Sequence, residues 1–111
     1  MEPMTELRLH LARYNLAAAI VLILEELVND GISSRALHRA DVELRSVAQL
    51  GAVQYDDPDV RTLRLALVDL VSEARSRDGV TSETAVRVRD IVRPWEARGR
   101  GRGISEGVSR G

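Results

Sequence analysis

His10 and His38 are the only histidines in the chain, and neither has the spacing of a ligand set. His10 has Tyr14 four residues on, and His38 has Asp41 three residues on. A zinc site takes three or four ligands from His, Cys or carboxylate, and the sequence contains no cysteine. Asp56, Asp57 and Asp59 cluster beside Tyr55. A calcium loop alternates its acids around a Gly and closes on a distant Glu, which this stretch lacks. Asp57-Pro58-Asp59 reads instead as a helix start, with Asp57 as N-cap and Pro58 in the first helical position. All 16 basic residues are Arg, so Schiff-base lysine chemistry and a phosphate-loop lysine are excluded. No Gly-rich loop follows a strand, and no Ser-His-acid set is suggested by position. No catalytic residue, metal or cofactor is assigned, and the chain is expected not to be catalytic on its own.

Two basic signals point toward nucleic acid. Gly31-Ile32-Ser33 stands between two apolar-periodic stretches, with Leu37 four residues after Ser33. A Gly in the turn, an apolar residue, a Ser cap and a following helix resemble the helix-turn-helix pattern of bacterial DNA-binding domains. That resemblance implies that Arg35, His38 and Arg39 face DNA. The departures are Leu27 where the pattern has a small residue, Glu26 and Asp30 where it has apolar ones, and Asp41 and Glu43 on the candidate recognition helix. The second signal is Arg98-Gly-Arg-Gly-Arg-Gly103, similar to arginine–glycine segments that bind RNA without sequence preference. Arg98, Arg100 and Arg102 would make those contacts. Three phosphate contacts support only weak, salt-sensitive binding. Residues 1–97 carry 12 Arg against 16 acids, a field that repels phosphate. Nucleic acid is therefore the alternative and not the leading reading.

The elements that would position these residues are helices. Met4 to Asp30 contains neither Gly nor Pro. Leu7, Leu11, Tyr14, Ala18 and Val21 repeat in steps of four and three on one face. Leu9, Leu16, Ile20, Ile23 and Leu27 do so on the opposite face, and a thin polar line of Arg8, Asn15 and Glu26 runs between them. A helix apolar nearly all round is a buried helix, with Gly31 as its left-handed stop. Ser33 or Ser34 opens a second helix whose stripe is Leu37, Ala40, Leu44 and Val47. Asp57 opens a third, with Val60, Leu63, Leu67, Leu70 and Ala74. Thr81 or Ser82 opens a fourth, with Ala85, Val88, Val92 and Trp95. Pro94 predicts that this last helix ends or kinks near Arg93. No stretch alternates as a strand does.

The 111 residues bound the chain to one domain. Apolar residues make up 44 % of it and aromatics 3 %, so the core must be aliphatic. The longest unbroken apolar run, Leu16 to Leu24, is far short of the ~20 residues of a membrane span. Glu2, Glu6, Glu25 and Glu26 do not suit a secretory leader around it, and a cytoplasmic protein is expected. The predicted fold is all-α: a small four-helix bundle over residues 1–97 around a central, nearly all-round apolar first helix, with a disordered Arg/Gly tail at 98–111. One face of that helix can meet the other three helices, and the second needs a cover. Partner-interface candidates are Leu9, Leu16, Ile20 and Ile23, with Leu65, Val68 and Val42 off the stripes of their helices. The expected function is a non-catalytic helical subunit that assembles with copies of itself or with a larger protein. The alternatives are a small DNA-binding regulator, and a subunit that completes a ligand or cofactor pocket with a catalytic partner.

Overall fold

In a computed structural model, the chain forms four α-helices: α1 (Pro3–Val28), α2 (Ser34–Ala48), α3 (Pro58–Ala74) and α4 (Ser82–Arg110), with a 3-10 turn at Gly51–Tyr55. The structure describes residues 3–29 and 31–96 with their side chains. The expectation of a flexible tail at 98–111 falls outside these described residues. Among the described residues there is no strand, and no helix is long and apolar enough to cross a membrane.

The helix boundaries follow local chemistry. The first helix starts at Pro3, whose fixed φ suits a first turn. At the other end, Gly31 takes φ +95 and donates its N–H to the Glu26 carbonyl at 2.9 Å, closing the end of α1. The Ser33 hydroxyl accepts from the Ala36 N–H at 3.1 Å, capping α2. The Glu26 carboxylate reaches over and accepts from the Ser33 N–H at 2.8 Å, so the turn is tied at both sides. This hydrogen bond from Ser33 holds the Glu26 carboxyl below its ordinary range. At α3, Asp57 Oδ1 accepts from the N–H groups of Asp59 and Val60 at 2.9 and 3.0 Å. At α4, Thr81 Oγ1 accepts from the Thr84 N–H at 3.2 Å, while Glu73 at the end of α3 accepts from the Thr81 N–H at 2.9 Å.

α1 is the hub. It packs against α2, α3 and α4, and α3 in turn touches α2 and α4. The core is aliphatic throughout. Leu9, Leu16, Ile20 and Ile23 of α1 meet Val47 of α2, Leu63, Leu67 and Leu70 of α3, and Val88 and Val92 of α4, all essentially without solvent contact. Ion pairs lace the outside: Arg75, just past the end of α3, to Asp41 of α2, and Arg87 of α4 to Asp69 of α3.

One half of a local expectation is corrected: α4 does not end near Arg93, since its helical course continues through Pro94 to Trp95 and Glu96. Pro94 removes one hydrogen bond and crowds the carbonyl four residues before it. The tertiary contacts on either side outweigh that: Val92 is fully buried, and Trp95 sits edge-on to Tyr14 of α1 at 5.5 Å with the rings 88° apart. Pro94→Ala is expected to raise the thermal midpoint, because an interior proline costs a helix about 3 kcal/mol. A midpoint that falls would show that the ring's own packing matters more than the backbone bond.

Candidate functional site

The residues singled out for a partner do not come together. Leu9, Leu16, Ile20 and Ile23 lie in the chain's own core, at 2 %, 0 %, 0 % and 0 % exposure. Sequence periodicity offers this face to a partner, and the fold uses it internally. The reason is competition between two faces of one helix. The Leu9 face carries the buried Leu16, Ile20, Ile23 and Leu24, whereas the Leu7 face includes Ala18 and borders the polar Arg8 and Asn15. Burying the first removes more apolar area from water. Val42 of α2, with Leu65 and Val68 of α3, is exposed, at 39 %, 50 % and 38 %. These three sit on the outer sides of two different helices.

What remains open is the other face of α1. Met4, Leu7 and Leu11 are 60 %, 49 % and 49 % exposed, and Val28 at the far end is 69 % exposed. Between them Tyr14, Ala18, Val21 and Leu22 are only half-buried. This face is flanked by α2 and α4. On the α2 side, Leu11 and Asn15 border a cleft of about 470 Å³ with Glu43 and Leu50. Further along, Ala18 and Leu22 share a groove of about 440 Å³ with Arg39 of α2 and Trp95 of α4. Beyond that, Val21 and Val28 border a cleft with Arg89 and Arg93 of α4. Met4, Leu7, Leu11, Tyr14, Ala18, Val21 and Val28 are spaced by three, four, three, four, three and seven residues. That is the 3.5-residue repeat of a helix built to lie along another helix.

A second cluster gathers the polar chemistry. His10, Arg13 and Tyr14 of α1 meet Asp57 at the start of α3 and Trp95 of α4. His10 and Tyr14 are edge to face at 4.9 Å, and Tyr14 in turn meets Trp95. Arg13 donates to both oxygens of Asp57, with Nε at 3.4 Å from Oδ1. The Arg13 hydrogen bond holds the Asp57 carboxyl below its ordinary range against the opposing effect of burial, helped by the Val60 N–H. Asp57 likewise raises the Arg13 guanidinium. These contacts are accounted for by the fold, since the Arg13–Asp57 pair ties the middle of α1 to the first turn of α3. Sequence reasoning found Asp57 as a cap and missed its Arg13 partner, 44 residues away. The chain carries no local signal for that pairing.

Arg35, His38 and Arg39 lie on α2, with Arg35 and Arg39 exposed and His38 outside the buried core. Their acidic neighbour Asp41 is held by Arg75, whose hydrogen bond lowers its carboxyl below the ordinary range, and Arg39 borders the groove over α1. Arg98, Arg100 and Arg102 fall outside the residues described with side chains. Among the described residues, no three His, Asp or Glu side chains are placed to hold a metal ion. Comparison of the chain with protein-family models, with curated proteins and with solved structures found no match.

Proposed function

We propose that this protein is a non-catalytic helical assembly subunit, which associates through the open face of α1. One observation carries the reading: an apolar stripe at coiled-coil spacing on the hub helix, interrupted by Glu25, whose Met4, Leu7 and Leu11 are about half-exposed or more. Isolated exposed apolar residues are ordinary on a protein surface. Met4, Leu7 and Leu11 are neighbours on one face at the start of a 26-residue helix, and a cluster of exposed apolar residues is the kind of patch that marks an interface. The groove beside it supports association in a second way, since Trp95 and Leu22 form an apolar wall there.

The test is Leu7→Glu with Leu11→Glu in the full chain. Both positions are half-exposed, so the variant should keep its helical circular dichroism. Wild-type protein is expected to show either a mass above the monomer by light scattering or, as a monomer, binding of an anilinonaphthalene sulfonate dye. The double variant should lose whichever of these the wild type shows. A wild type that is monomeric and dye-negative would overturn the reading.

A further inference from the structure

We draw no further inference here: the strongest candidate, the open face of α1 with the clefts that α2 and α4 form along it, is lined by charges of both signs, Arg8 with Glu43 at one end and Glu25 with Arg39, Arg89 and Arg93 toward the other, and nothing in the structure shows what covers it.

Discussion

Leu16→Glu is expected to give no folded protein, while Leu11→Glu, five positions earlier in the same helix, is expected to fold. Leu16 has no solvent contact, and Leu11 is 49 % exposed. A carboxylate at position 16 would enter an aliphatic core whose nearest ion pair, Arg13 with Asp57, is already complete. Burying an unpaired charge costs more than a domain of this size can lose. Leu16→Ala is the graded version, expected to cost about 2–5 kcal/mol. That lowers the thermal midpoint by at least about 8 °C, given roughly 4–8 °C per kcal/mol for a small domain. Far-ultraviolet circular dichroism and a thermal melt on the three variants decide it. A folded Leu16→Glu protein with an unfolded Leu11→Glu protein would mean that α1 packs with its other face inward.

The second large effect is at Asp57. This carboxylate caps α3 and holds Arg13 of α1, and it is 9 % exposed. Asp57→Ala removes both functions and is expected to cost about 2 kcal/mol, the upper end of an N-cap loss. Asp57→Ser keeps a capping oxygen and gives up the ion pair, so it should recover part of that loss. The pH dependence follows from the sign of the shift. The Arg13 hydrogen bond lowers the carboxyl in the folded state. The stabilisation is therefore complete above the unfolded carboxyl value near 3.9, and is lost as the pH falls through the lower folded value. Wild type should melt progressively earlier as the pH drops from about 5 toward 2, and Asp57→Ser should show a shallower fall. Asp41 and Glu73, also lowered by their hydrogen bonds from Arg75 and Thr81, keep some slope in the variant. A variant as acid-sensitive as wild type would assign the effect to those exposed groups instead.

The Asp57 corner shows where sequence reasoning stops. Asp57-Pro58-Asp59 names a helix start without any tertiary information, because capping is satisfied within a few residues. The pairing with Arg13 belongs to the packing of α1 on α3, and nothing within either segment specifies it. The same division runs through Pro94. Its local effect is to break a helix, and the Tyr14–Trp95 contact that accompanies the unbroken course lies 81 positions apart in the chain.

Local sequence alone makes this an all-helical chain, sets where α2, α3 and α4 start, and gives the first helix two opposed apolar faces. Those are local properties: the 3.6-residue repeat, the caps and the stops are each written in a handful of neighbouring residues. Which of the two faces of α1 turns inward was decided only in three dimensions. Both faces repeat in threes and fours, and periodicity alone ranks them equal. The ranking comes from the area each face removes from water against α2, α3 and α4 together. In the fold it is the Leu9, Leu16, Ile20 and Ile23 row that is buried, and the row holding Ala18 stays at the surface. The face left outside is the one available to a partner, so the interface is a consequence of how the core was filled.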